Sequence, residues 1–326
     1  MTITRRTFAT LAATVLLAAP AAAQSFPERE VTLFVNYGAG GSVDRTARSV
    51  QPFLPDALGT GVVVENVGGA GGRTGLRRFM EMDHDGHTVL VAFAPATTYG
   101  KFREPGLFEM DDLAVLNVQW IDPAILLART DAGWDSLADM VAWARENPGE
   151  LTFGSSGQGS VGTILAEAMF DALGLDVRTV PYSGGGDARR AFAAGEVQVT
   201  AAGAGGATSL ADQAVPLGLF GDEGSAPDWP DAPSINAELD AMGEAADVPE
   251  GGAYRFFAVH SDVRENHPDR FEALATALEE VVTSDAFRES AAQSGVGTDW
   301  TGPIDGQALI SDVDARFTAI LEGAEG

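Results

Sequence analysis

The chain contains no cysteine and a single lysine, Lys101. Without cysteine there is no disulfide, no thiol nucleophile and no lipid anchor on an N-terminal cysteine, so the protein folds on packing alone. Histidine is scarce as well: His84 and His87 flank Asp85-Gly86, and His260 and His267 lie in the C-terminal third. The first pair reads as a solvated turn, because a zinc site draws further ligands from elsewhere in the chain. Positive charge is short, with 20 Lys and Arg against 47 Asp and Glu and a formal net charge of −27. Such a field argues against nucleic acid and anionic membrane surfaces as partners. A small anion stays admissible, since screening limits distant charges to about 8 Å at physiological salt and leaves local donors in control. Beyond the first residues, no apolar run is long enough to span a membrane.

What is present begins with an export signal. Arg5-Arg6, the apolar run Phe8 to Ala19 and Ala21-Ala22-Ala23 supply the charged, apolar and small-residue parts of a secretory leader cleaved after about Ala23. Thr4 to Phe8 also resembles a twin-arginine signal, so the route into the periplasm stays open. The 326 residues, 45% of them hydrophobic, suffice for two lobes with real cores.

The organising stretch is Val31 to Asp44, VTLFVNYGAGGSVD. An apolar, β-branched run ends in Gly38-Ala39-Gly40-Gly41-Ser42 and opens a helical pattern, which reads as strand, glycine turn, helix. The first-turn amides and helix dipole of such a corner suit an anion, and Ser42 is expected to cap the helix while offering its hydroxyl. The plainer reading is a structural turn in which Asp44 satisfies the helix start. The device recurs: GGAGGRTG (68–75) follows GVVVEN, GSSGQGSVG (154–162) follows LTF, and YSGGGDA (182–188) follows VRTVP. Three such units in the first third predict a parallel, doubly wound sheet with its ligand at the strand C-terminal ends. Each half starts in the same way, which predicts two similar lobes able to close on one another. The polar, proline-rich stretch 222–234 reads as a surface connection.

Enzymatic readings fare poorly. Gly157-Gln158-Gly159-Ser160-Val161-Gly162 matches GxGxxG, but the acid that a dinucleotide fold wants at the end of the next strand is missing, since Asp176 precedes that strand. No serine stands in G-x-S-x-G: Ser156 has Gly154 before it but Gln158 after it. The chain is therefore read as a binding protein, not an enzyme, without metal or cofactor. Arg73, inside the second glycine turn, is carried as a carboxylate-binding candidate beside the plainer reading of a surface arginine on a first helical turn. The same two readings apply to Arg189 and Arg190.

FPEREVTLFVNYGAGGSVDRTAR, VVVENVGGAGGRTG, DGHTVLV, NPGELTFGSSGQGSVG and VPYSGGGDA, in that order, resemble the substrate-binding proteins of tripartite tricarboxylate transporters, the Bug family. The likeness runs from about Phe26 to the C-terminus. It implies a monomeric periplasmic clamp of the Venus-flytrap kind, two α/β lobes joined by two crossing strands, that closes on a small organic carboxylate and presents it to membrane permease subunits. The crossings would fall near Ala124 to Arg129 and Leu217 to Asp222, giving lobe 1 as 24–124 with 222–326 and lobe 2 as 125–221. The resemblance places ligand contacts at Tyr37, Gly38, Ala39, Gly41 and Ser42, with Asp44 holding the turn and Thr97 following the third strand. In the second lobe it points to Ser155, Ser156, Gly157 and Ser160, and to Tyr182, Gly184 and Gly185. Several positions depart from the family pattern: Asn36 and Tyr37 replace Pro-Phe, Val67 an arginine, Arg73 an asparagine and Thr163 a histidine. Neutral donors are expected to hold the carboxylate without a dedicated arginine. A receptor serving a signalling partner would use the same clamp.

Overall fold

The computed structural model describes residues 26–157, 159–246 and 248–325. The leader expected at 1–23 lies outside them, as does Gln158. The chain opens with the expected unit: β1 (Val31–Val35), α1 (Ser42–Val50), a short α2 (Leu54–Leu58), β2 (Val62–Asn66), α3 (Arg73–Met80) and β3 (Thr88–Ala94). Strand β1 lies parallel to both β2 and β3. Its side chains alternate, so Leu33 and Val35 join one core with Val43 and Ala47 of α1, while Phe34 joins another with Leu76 and Phe79 of α3. A sheet covered on both faces follows directly from that period of two.

Helix α4 (Ala96–Arg103) follows β3, where only small and hydroxyl residues mark the sequence, and then the chain enters β4 (Leu113–Arg129), a strand of 17 residues. The strand that carries the crossing expected near Ala124 to Arg129 in fact starts at Leu113. Three buried polar residues hide the earlier half: Asn117, Gln119 and Asp122 interrupt the apolar pattern. Tertiary partners satisfy most of their polar atoms. The Asn117 carboxamide accepts from the Thr301 amide at 2.9 Å and donates to the Asp299 carbonyl at 3.0 Å, and Gln119 donates to the Gly297 carbonyl at 3.2 Å.

The second half repeats the theme with α5 (Leu137–Glu146), β5 (Leu151–Ser155), α6 (Val161–Ala172), β6 (Val177–Pro181), α7 (Gly185–Ala194), β7 (Val199–Gly203), a single turn α8 (Ala204–Ala207) and β8 (Ala214–Leu219). Ser136 caps α5 by accepting from the Asp139 amide at 3.2 Å. Helix α9 (Ile235–Met242), beyond residue 221, contacts α5 and β8. The connection before it is less superficial than its composition suggests: Trp229 is buried and its indole donates to the Ala204 carbonyl at 2.9 Å. Strand β9 (Gly252–His260) then returns to the first half, followed by α10 (Ser261–Asn266), α11 (Pro268–Thr283), α12 (Asp285–Ser294) and α13 (Gly302–Glu325).

The sheet runs β2-β1-β3-β9-β4-β7-β5-β6, with β8 also on β4. It is parallel within each half, as expected, and antiparallel where the halves join. Strand β9 is antiparallel to β3 and β4, and β4 is antiparallel to β7 and β8. The cause is the crossing itself, because β4 leaves the first half where β9 re-enters it. Strand β4 changes partners between Pro123, opposite Gly252, and Ala124, opposite Gly203. Three segments are tied at that point: Phe220 N donates to Ala124 O at 2.8 Å, Ala124 N to Gly251 O at 3.1 Å, and Gly251 N to Phe220 O at 2.8 Å. Two α/β halves are thus joined where β4 and β9 cross.

Candidate ligand-binding site

The first glycine corner has a shape held from behind. Gly41, in extended conformation, is the residue before the helix, and Ser42 is its first helical residue. Ser42 therefore does not cap α1, contrary to expectation. The amides of Ser42, Val43 and Asp44 are first-turn donors without intrahelical acceptors. Asp44 is buried, accepts from the Gly40 amide at 2.7 Å and pairs with Arg48 at 2.9 Å. Burial alone would raise its pKa, but the Gly40 amide and Arg48 outweigh that and hold it below the ordinary carboxylate range. Tyr37 donates to the Gly71 carbonyl at 3.3 Å and packs on Phe93, ring centroids 5.2 Å apart. Burial pushes its hydroxyl far above its usual pKa, against a small opposing effect of Asn36, so it is a neutral donor.

The second corner is braced by hydroxyls. Ser160 caps α6, accepting from the Thr163 amide at 3.4 Å, and its hydroxyl donates to Thr163 Oγ1 at 2.8 Å. Ser155 Oγ lies 2.9 Å from the same Thr163 oxygen and accepts from the Gly157 amide at 3.1 Å. Between these serines Gly159 sits at φ +84, and a Cβ there would stand 2.5 Å from the Tyr99 ring of α4. Glycine is thus required for both its backbone and its contact with the first half.

These corners share one cavity of about 680 Å³. Tyr37, Gly38, Ala39, Gly41 and Ser42 line one wall, and Ser156, Gly157, Ser160, Gly184 and Gly185 line the other. Five candidates lie elsewhere. Asp44 supports the first corner from behind. Arg73 points to Glu104 at 3.9 Å, in the company of Arg77, as a helix-surface arginine would. Thr97 is fully buried, and its hydroxyl has no partner among the described residues. Ser155 is buried under its own turn, and the Tyr182 hydroxyl donates to Glu196 at 3.2 Å.

Sequence reasoning overlooked several lining residues, above all Arg255, and left Arg189 undecided. The cavity is also lined by Phe93, Tyr99, Ser183 and Ala253. Arg255 is 6% exposed in the midst of β9. It donates to Asp122 Oδ2 at 3.2 Å and to the Ala253 carbonyl at 3.1 Å, reaches Ser42 Oγ at 3.4 Å, and lies 3.9 Å above the Trp120 ring. Burial lowers its pKa against the counter-effect of Asp122. The other oxygen of Asp122 accepts from the Gly205 amide at 2.9 Å, so one carboxylate joins β4, β9 and α8 beneath the cavity. A signal existed: an arginine inside AYRFFAV is costly to bury without a built partner. Arg189 and Arg255 thus line the cavity beside the neutral donors that the sequence pointed to. The cleft is locally cationic inside a strongly acidic molecule.

The chain matches the family model described as "Tripartite tricarboxylate transporter family receptor" over residues 46–325. Among curated relatives, a UPF0065 protein of Agrobacterium vitis is 32% identical over 190 residues, 58% of this chain and 55% of the relative. BugT of Bordetella pertussis is 32% identical over 179 residues, 54% and 55% of the two chains. The chain thus matches little more than half the length of these relatives. Among solved structures, a TctC solute-binding protein from Polaromonas superposes with TM-score 0.74 at 20% identity, covering 91% of this chain and 99% of that one. MatC from Rhodopseudomonas palustris, solved with bound malate, gives 0.72 at 22% identity over 90% and 99% of the two chains. Another R. palustris protein, solved with adipate, gives 0.74 at 22% over 92% and 98%. These likenesses show the fold, and the family match spans nearly the whole chain. The chain belongs to the tripartite tricarboxylate transporter receptor family.

Proposed function

We propose that this protein is a periplasmic solute receptor that captures a small organic carboxylate between its two halves and hands it to the permease subunits of a tripartite transporter. The observation that carries this reading is the shared cavity, into which a glycine corner from each half and the side chains of Ser42, Arg189 and Arg255 all open. In the open state the first-turn amides of α1 and the Ser42 hydroxyl receive the carboxylate. Closure about the β4 and β9 crossing then brings the second corner over it, excludes water and strengthens each bond. The solved relatives holding malate and adipate support the ligand class. Export of the chain and removal of residues 1–23 place it where such a permease could be met.

Calorimetry of the purified protein against a panel of di- and tricarboxylates tests this. Binding of at least one is expected. Clear binding of a sugar or a cation with no response to any carboxylate would remove the reading. Native mass spectrometry of freshly purified protein would show which acid co-purifies.

A further inference from the structure

The arginines around the cleft fall into two kinds. Arg255 rests on Asp122, Arg48 on Asp44 and Arg190 on Asp187. Arg189 is different: among the described residues its guanidinium makes no hydrogen bond and no ion pair. It is half-buried, and it lines the cavity rather than the outer surface. Its Nη1 lies 3.1 Å from where a Cβ on Gly185 would stand and 3.7 Å from one on Gly206, so it folds back over side-chain-free backbone beside the second-half wall. Its nearest acid on α7, Asp187, is turned to Arg190. Burial lowers the pKa of Arg189, and Arg45 and Arg190 lower it further, so its charged neighbours repel it instead of compensating it.

On the first-half wall the situation is the reverse. Arg255 and Asp122 cancel each other, and Ser42 and the amides of α1 are neutral donors. One carboxylate bound there leaves the charge of Arg189 unmatched. A guanidinium fork fits a second carboxylate in two parallel hydrogen bonds.

Resting on the carboxylate reading above, we propose that Arg189 is a specificity-determining residue that grips a second anionic group of the ligand. The site then selects dicarboxylates over monocarboxylates of the same chain length.

The test uses the full mature chain, the variants Arg189→Gln and Arg189→Lys, and calorimetry with matched pairs: succinate with butyrate, glutarate with pentanoate, adipate with hexanoate. The wild type is expected to bind at least one dicarboxylate about ten-fold or more tighter than its partner, the scale of one charge-assisted hydrogen-bonded pair. Arg189→Gln is expected to erase that preference with Tm within error, and Arg189→Lys to restore part of it. Equal binding of both members of each pair by the wild type overturns the proposal, as does an equal loss for both in Arg189→Gln. Binding of monocarboxylates alone removes this inference and leaves the carboxylate receptor intact. Failure of every probe to bind the wild type overturns this inference, and silence of the wider di- and tricarboxylate panel as well overturns the carboxylate reading.

Discussion

The two glycine-serine corners look alike in sequence and divide their labour differently in space. In the first, GAGGS, no side chain caps the helix: an acid behind the turn, Asp44, fixes Gly40, and the Ser42 hydroxyl faces Arg255. In the second, SSGQGS, the hydroxyls of Ser155 and Ser160 are engaged with Thr163 and hold the turn from within. The first corner leaves its first-turn amides and its serine uncommitted to the turn, and the second uses most of its hydroxyls on itself. The lesson is that a recurring motif specifies backbone shape, while its neighbours decide which donors remain free. Thr163 is the hub that makes the second corner self-sufficient.

The largest expected effect breaks the comparison sterically. A Cβ on Gly162 would meet the Ala201 carbonyl oxygen at 2.5 Å, whereas one on Gly38 meets nothing within 4 Å. Gly162→Ala is expected to cost about 3 kcal/mol in urea unfolding, the scale of a forced backbone shift, and Gly38→Ala almost nothing. Equal midpoints for the two variants would show that the second corner has slack that its contacts deny.

A crossed pair of serines sharpens the difference in role. Ser42→Ala is expected to weaken carboxylate binding by about 1.5 kcal/mol, as for a lost hydrogen bond to a charged group, without lowering Tm. Ser160→Ala is expected to lower stability by about 1 kcal/mol through the lost cap. Calorimetry and thermal melts on both variants check this, and a lower Tm for Ser42→Ala with no change in affinity would reverse the assignment.

The smallest effect separates the halves by pH. In the first half the His260 ring is stacked between Phe79 and His84, centroids 4.1 and 3.7 Å away, with Nε2 3.0 Å from the Phe79 carbonyl. Burial first, and then His84, lower its pKa to about 4, with Asp262 and Asp112 opposing. Between the ordinary histidine value of about 6.5 and that value, the unfolded chain binds a proton that the native protein refuses. Stability therefore falls as pH drops through that window, and His260→Gln is expected to flatten the slope. An unchanged slope in chemical unfolding from pH 7 to 4 would discount the stack.

Most of the secondary structure was legible because it rests on local pattern. The strands β1, β2 and β5 to β7 announce themselves by short apolar or β-branched runs that give way to a glycine turn, and β3 by an apolar run that gives way to small and hydroxyl residues. The amphipathic period of Phe271, Leu274, Leu278, Val281 and Val282 marks α11. The failures share a cause. Asn117, Gln119 and Asp122 looked like breaks in a strand because their partners, 297–301 and Arg255, are remote in sequence. Helix α9 and Trp229 sat in a stretch of polar composition whose apolar members find their core only after folding. Of the candidate site residues, those on the corners came together, since glycine turns at parallel strand ends must face the same edge of the sheet. Arg73, chosen for its place inside a glycine turn, and Tyr182, placed by the resemblance, are drawn to Glu104 and Glu196.

The sequence by itself determined the rhythm of strand, glycine turn and helix, the acidic surface and a fold without disulfides, because each of these depends on residue type and short spacing alone. Only the tertiary structure decided which charges the cleft presents. Arg189 and Arg255 are ordinary arginines in the linear chain. One becomes compensated and the other does not, because β4 and β9 cross where Asp122 can reach only Arg255.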